Sequence, residues 1–194
     1  MKKIVFAFST LLATMVAAHA QTPATAAAPV RFLAGAGFSG GGDELATASY
    51  TNGDSQDIRA GKGLYLTAGA EYRVSPQVSV QATVNFHIDD TNADNGSIRF
   101  RRFPVEVLGY YHINTQWRVG GGVRYINGAK LTSSGAAAGL DTKFDNSTGA
   151  VLEAEYFWTP NFGMKMRYVN ETFKARGYED AKGNHVGISG NYYF

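Results

Sequence analysis

Between Leu64 and Ile88 apolar and polar side chains alternate with almost no error on both sides of a three-residue turn. Leu64, Leu66, Ala68, Ala70, Tyr72 and Val74 alternate with Tyr65, Thr67, Gly69, Glu71 and Arg73. After Ser75-Pro76-Gln77, Val78, Val80, Ala82, Val84, Phe86 and Ile88 alternate with Ser79, Gln81, Thr83, Asn85 and His87. Side chains alternate across a strand, so each arm has one apolar face and one polar, charged face. Arms of about eleven residues are long for a soluble sheet and suit a tilted strand that crosses a bilayer.

The first twenty residues stand apart. Lys2 and Lys3 precede an apolar run from Ile4 to Leu12, and Ala18-His19-Ala20 places small residues at both cleavage positions. This layout predicts a secretory signal peptide over residues 1–20, cleaved before Gln21. An anchor helix is the alternative, but the core is short and rich in Ser, Thr and Ala. No other segment approaches the roughly 18 consecutive apolar residues of a membrane helix, so a membrane-embedded mature chain must cross with strands. Residues 21–29 read as a flexible Ala/Thr/Pro linker, and residues 30–194 as the barrel domain.

The formal charge of +2 comes from the two signal-peptide lysines, because without them 16 bases face 16 acids. Bulk charge thus gives no support for nucleic-acid binding. The absence of Cys excludes disulfides and thiolate metal sites.

The same alternation recurs along the mature chain and predicts eight strands, at about 30–40, 64–74, 78–88, 98–113, 117–125, 150–158, 162–171 and 186–194. Pro104 cannot donate to a ladder, so it is expected to mark a bulge, which leaves the faces of residues 98–102 open. Three connections are tight: Ser75-Pro76-Gln77, Asn114-Thr115-Gln116 and Thr159-Pro160-Asn161. They alternate with four longer polar segments, among them 41–61, 89–97 and 127–146. Short turns at one end and long loops at the other are the asymmetry of outer-membrane barrels, with the short turns periplasmic. Parity puts Tyr72, Tyr111, Trp117, Tyr156, Trp158, Phe162, Tyr192 and Phe194 on the apolar face near the short-turn end, an interfacial girdle. A soluble lipocalin-like or sandwich fold gives no reason for such a band. The expected fold is all-β, an eight-stranded antiparallel up-and-down transmembrane β-barrel.

In this architecture, and in the terminal Tyr192-Tyr193-Phe194, the sequence resembles the small OmpA-like and OmpX-like eight-stranded outer-membrane barrels of Gram-negative bacteria. A terminal Phe with an aromatic two residues earlier is similar to the signal read by the outer-membrane assembly machinery, so the resemblance implies that Tyr192 and Phe194 serve assembly. Gly190 departs from that pattern, where a bulkier residue is common. The chain stops at the barrel, so no tether to the cell wall is expected.

Eight strands enclose a lumen about wide enough for side chains to fill. The inward set holds Glu71, Glu106, Glu153, Glu155 and Glu171 against Arg73, Arg118, Arg124, Lys165 and Arg167, which predicts a charge network that plugs the lumen. A wet, solvated interior is the alternative. Catalysis has little support: His87, His112 and His185 share inward parity, and His185 and Ser189 are about 13 Å apart along one strand. His87 near Asp89 and Asp90 reads as a solvated loop edge rather than a metal site. No enzyme activity, cofactor or metal is expected. Asp43, Glu44, Asp54, Asp57, Asp89, Asp90 and Asp94 read as a solvated face.

Arg99, Arg101 and Arg102 lie beside Phe100 and Phe103 at the long-loop end, a pattern suited to lipopolysaccharide phosphates and acyl chains; a snorkelling or bulge-stabilising cluster is the alternative. The expected protein is a monomeric barrel of the cell outer membrane with a structural or surface-interaction role, its partners lipid, lipopolysaccharide and, during insertion, the assembly machinery. A narrow channel and a loop-borne adhesin remain as rivals.

Overall fold

The computed structural model describes residues 29–49, 55–93, 96–135 and 138–194. The expected signal peptide and all but the last residue of the expected linker lie outside the described residues. Pro29, that last residue, is already held, since its carbonyl accepts from the Arg73 N–H at 2.7 Å.

Eight strands build the wall: β1 Val30–Gly41, β2 Gly63–Arg73, β3 Val78–Ala93, β4 Pro104–His112, β5 Trp117–Ile126, β6 Ser147–Thr159, β7 Phe162–Asn170 and β8 His185–Tyr193. Consecutive strands pair antiparallel, and β8 pairs with β1 to close the sheet. Following direct partners from Val30 through Tyr72, Val80, Gly109, Gly121, Leu152, Tyr168 and Val186 returns to β1 at Gly40, ten residues along. That stagger obliges the strands to tilt against the barrel axis.

One hydrogen-bonding device makes all three tight turns. Ser75 Oγ accepts from the N–H groups of Gln77 and Val78, Asn114 Oδ1 from Gln116 and Trp117, and Thr159 Oγ1 from Asn161 and Phe162. A short polar side chain thus replaces the missing ladder partner at each reversal.

The walls are two-faced. On β7, Phe162, Met164, Met166 and Tyr168 are exposed while Gly163, Lys165, Arg167 and Val169 are buried. A continuous exposed apolar belt of this kind would be unfavourable in water and is covered by a bilayer. Tyr72, Tyr111, Trp117, Tyr156, Trp158, Phe162, Tyr192 and Phe194 stand outward near the short turns, with Trp117, Tyr156 and Trp158 in ring contact at 4.9 and 5.1 Å. A second aromatic ring, Phe38, Phe86, Phe103, Tyr125 and Tyr168, lies higher on the same outward face. Trp117 and Tyr125 are eight residues apart, roughly 26 Å of strand and about 20 Å of height at the ~40° tilt usual for such barrels.

Above the second ring the wall continues as a raised collar. β3 runs on to Ala93 and pairs with Gly96–Arg102, which pairs with Lys130–Gly135 and through it with Thr142–Lys143. The segment at 89–97 expected as a loop is therefore mostly strand. Two hairpins, Glu44–Ser49 with Ser55–Arg59 and Thr172–Phe173 with Ala181–Lys182, fold over the opening. Their buried residues Ile58 and Phe173 join Ile98, Phe100, Leu131 and Phe144 in one apolar cluster. Phe100, Phe144 and Phe173 meet edge to face at 5.5–5.9 Å. This lid rests on the charged lumen, for the Arg102 guanidinium lies 5.0 Å from the Phe100 ring and 5.7 Å from the Phe173 ring.

The expected bulge at Pro104 is not there. His87 pairs with Arg102 and Val84 with Val105, three residues apart on each strand, so the register passes Pro104 unbroken on that side. On the other side Arg101 pairs with Lys130 but Pro104 with Ile126, which leaves the extra residue in 127–129. Gly128, at φ 64°, supplies the left-handed step there. The strand opposite the proline makes the adjustment, and alternation holds from 98 to 112. Ile98, Phe100, Arg102, Pro104 and Glu106 point inward; Arg99, Arg101 and Phe103 point outward.

Candidate functional site

The lumen holds a continuous series of ion pairs. At the short-turn end Arg31 meets Glu71 at 2.9 Å, and Glu71 meets Arg118. Arg118 is the hub. Its Nε and Nη2 donate to Glu155 at 2.8 and 2.6 Å, Nη2 donates to the Tyr193 hydroxyl at 2.6 Å, and its guanidinium lies 4.1 Å from the Tyr110 ring centre. Lys165 reaches Glu153 at 3.2 Å and Glu155 at 3.9 Å and donates to the Tyr110 hydroxyl at 3.0 Å, while Tyr110 donates to Glu153. Arg167 bridges Glu153 at 3.1 Å and Glu106 at 2.7 Å. Arg124 lies 3.5 Å from Glu106 and 3.2 Å from Glu171, and Arg102 stands 3.9 Å from Glu171. From Arg31 to Arg102 the signs alternate without a break, and every member but Arg31 is buried.

Local sequence explains how so much charge fits. Directly paired strands supply the partners: Glu153 lies opposite Arg167, Glu155 opposite both Lys165 and Arg118, and Glu106 opposite Arg124. Small inward residues make room, since a Cβ on Gly120 would lie 2.4 Å from a Tyr110 ring carbon.

The two halves of the series differ. Toward the short turns the ions are joined by well-formed hydrogen bonds. Under the lid, Arg102 Nε and Nη1, Arg124 Nε and Nη1 and both Glu171 carboxylate oxygens have no hydrogen-bond partner within the protein. These groups are held by charge at 3.2–3.9 Å more than by directed bonds.

Nine of the ten expected network residues, Glu71, Glu106, Arg118, Arg124, Glu153, Glu155, Lys165, Arg167 and Glu171, meet in this series. Arg73 does not. It sits at the strand end, where its Nη1 donates to the Pro76 carbonyl at 3.1 Å. Arg31 and Arg102 stand in the series instead. Parity would have found both: Arg102 had the proline not been assigned a bulge, and Arg31 because it alternates in phase with Leu33, Gly35 and Gly37 on β1, directly opposite Glu71.

Arg102 therefore does not belong to an outer-surface cluster: it is fully buried and donates to Lys62 O and His87 Nε2. Arg99 is outward and bound to Asp90 at 2.8 Å, a contact that raises its pKa, while Arg101 is outward and half-exposed.

His87 is not at a solvated edge either. It is buried against Ser39 at 2.8 Å, with Tyr65 and His185 rings 5.6 Å away. His112 bonds Ser79 at 2.9 Å, and His185 Nδ1 bonds the Gly183 carbonyl at 2.7 Å. No group of three His, Asp or Glu residues among the described residues could hold a metal ion. Of the expected acidic face, Asp89 is buried and accepts from the Arg59 N–H, and Asp54 and Asp94 lie outside the described residues.

At the short-turn end a vestibule of about 610 Å³ opens among Arg31, Arg73, Gln77, His112, Gln116 and Phe157. On the lipid-facing wall a shallow apolar groove of about 380 Å³ runs between Leu66, Ala68, Val84, Phe86, Phe103 and Val105.

The model of the outer membrane protein beta-barrel domain matches residues 8–194. No curated protein sequence matches the chain. Among solved structures, the fold is similar to that of Ail, the attachment invasion locus protein of Yersinia pestis, at TM-score 0.56 and 12% identity, over 85% of this chain and 97% of that one. The same protein bound to the heparin analogue sucrose octasulfate matches at TM-score 0.52 and 14% identity, with 85% and 97% covered. Neisserial surface protein A matches at TM-score 0.52 and 14% identity, over 88% of this chain and all of the other.

Proposed function

Because the chain belongs to the outer membrane protein beta-barrel domain family and so resides in the cell outer membrane, we propose that it is a plugged barrel, one that serves as a structural and surface element and neither conducts solutes nor catalyses a reaction. The observation that carries this is the unbroken run of opposite charges from Arg31 to Arg102, with the apolar lid on top. To pass a solute, the lumen would have to part buried pairs, each of which leaves an uncompensated charge at a cost of about 3–5 kcal/mol. In this reading the barrel works as a monomer, with Tyr192 and Phe194 presented to the assembly machinery.

The test is single-channel conductance of the refolded barrel in planar bilayers. Silent native protein, with leak in Glu153→Ala and Arg167→Ala, is the expected result. Steady, size-limited conductance by the native barrel would make it a narrow channel instead.

A second reading, a surface adhesin, is supported by the long-loop end being folded rather than loose. Hairpins packed on a common apolar core present a fixed outline of the kind a partner can recognise. Adhesion to host matrix by cells bearing the native barrel, lost when residues 130–143 are replaced by a short Gly/Ser turn, would favour it.

A further inference from the structure

The collar carries an arrangement that folding alone does not explain. Arg101 pairs directly with Lys130, and Lys130 pairs directly with Lys143, so three cations stand side by side across adjacent strands. All three point outward, because their neighbours Phe100, Leu131 and Phe144 fill the lid. Like charges directly opposite one another in a sheet repel. No acid closes on them as an ion pair: Asp90 is taken by Arg99, and Asp141, which accepts from the N–H and hydroxyl of Ser133, acts on Lys130 only from beyond ion-pair distance. Among the described residues none of the three makes an ion pair.

Directly beneath lies apolar surface at membrane depth. Arg101 is two residues above Phe103 on the same face of the same strand, and Ile88, the other cross-strand neighbour of Arg101, is two residues above Phe86. Phe86 and Phe103, 5.2 Å apart, head the groove that descends past Leu66, Ala68, Val84 and Val105. A row of cations at the membrane boundary over an apolar furrow is complementary to an amphiphile with several phosphates and several chains.

We propose that this face docks one molecule of a multiply phosphorylated, multi-acyl glycolipid of the outer leaflet, its phosphates on Arg101, Lys130 and Lys143 and one acyl chain in the Phe86/Phe103 groove. Charge-assisted hydrogen bonds from Arg and Lys to phosphate supply the polar half, and chain burial the apolar half. The ligand removes the repulsion along the row, so it also ties the collar strands together. The proposal needs the barrel to sit in the membrane and is independent of whether its lumen conducts.

The experiment uses the refolded mature barrel in phosphatidylcholine nanodiscs doped with bisphosphorylated hexa-acyl lipid A, with retained lipid read by native mass spectrometry. The native barrel should retain lipid A at concentrations at least tenfold lower than Arg101→Gln/Lys130→Gln/Lys143→Gln, and Lys130→Arg/Lys143→Arg should retain it like the native chain. Lys143→Gln alone, at the exposed end of the row, leaves the lid contacts intact and should weaken retention about threefold, which keeps the test valid if the triple variant fails to refold. Equal retention by native and Gln variants overturns the proposal. So does displacement of lipid A by an equal charge of phosphatidylglycerol, which would mean a diffuse preference for anionic lipid.

Discussion

The guanidinium of Arg102 and the carboxylate of Glu171 face each other at 3.9 Å inside the barrel, neither in contact with solvent and neither bonded to the other by a directed hydrogen bond. Glu171 is also the partner of Arg124 at 3.2 Å. Glu171→Ala therefore strips two buried arginines of their shared counter-charge and is expected to lower stability by about 3–5 kcal/mol. Urea unfolding in lipid vesicles measures this, and a change within error would mean that solvent already screens the upper lumen.

Gly120 faces the Tyr110 ring so closely that a methyl group there would sit 2.4 Å from a ring carbon. Gly120→Ala should destabilise the barrel by about 1–3 kcal/mol and push the Tyr110 hydroxyl away from Lys165 and Glu153. A lowered thermal midpoint together with a shifted tyrosine ultraviolet band is the expected signature.

Phe100 joins the lid to the lumen, with Phe144 and Phe173 on its edges and Arg102 over its face. Phe100→Ala should cost about 3–5 kcal/mol, concentrated at the long-loop end. Hydrogen exchange should quicken in Gly96–Arg102 and Lys130–Gly135 while β7 and β8 keep their protection. Uniform acceleration would show that the lid and the wall unfold as one unit.

In the collar, above the upper aromatic ring, burial holds the Asp89 carboxyl above its ordinary range, opposed by the Arg59 N–H and by Lys62 at 3.9 Å. A carboxyl whose pKa is raised by folding binds its proton more tightly in the native state. Its contribution is full below the ordinary value of about 3.9 and is lost as pH climbs through the folded value. Limited proteolysis of the collar should accordingly speed up as pH rises from about 3.9 through the folded value in the native chain, and not in Asp89→Asn. An unchanged pH response in the variant would assign the effect to another group.

The barrel was legible because the bilayer demands apolar side chains at every second position, and that demand ends where the membrane ends. Above Ile88 the outward face no longer has to be apolar, so Asp90 on that face, next to the inward Asp89, disguised a strand as a loop. The lid was hidden for a related reason. Ile58, Leu131, Phe144 and Phe173 each stand almost alone in a polar stretch, and only long-range pairing gathers them. Nine lumen charges followed from parity alone. Arg102 and the cation row did not, because an assumed bulge at Pro104 blurred the faces exactly where the chain keeps its alternation, and because Lys130 and Lys143 are paired to Arg101 by topology rather than by sequence distance.

β8 is hydrogen-bonded to β7 on one edge and to β1 on the other, and the β1 contacts join residues such as Ala34 and Tyr192, more than 150 positions apart. Such a seam carries a high closure entropy and little help from local contacts. No strand order that proceeds from the first residue onward can finish the wall, because β1 lacks one of its two partners until the final nine-residue segment arrives. The chain is committed to folding late and all at once, and until then it must be kept from pairing its unsatisfied edge with other chains.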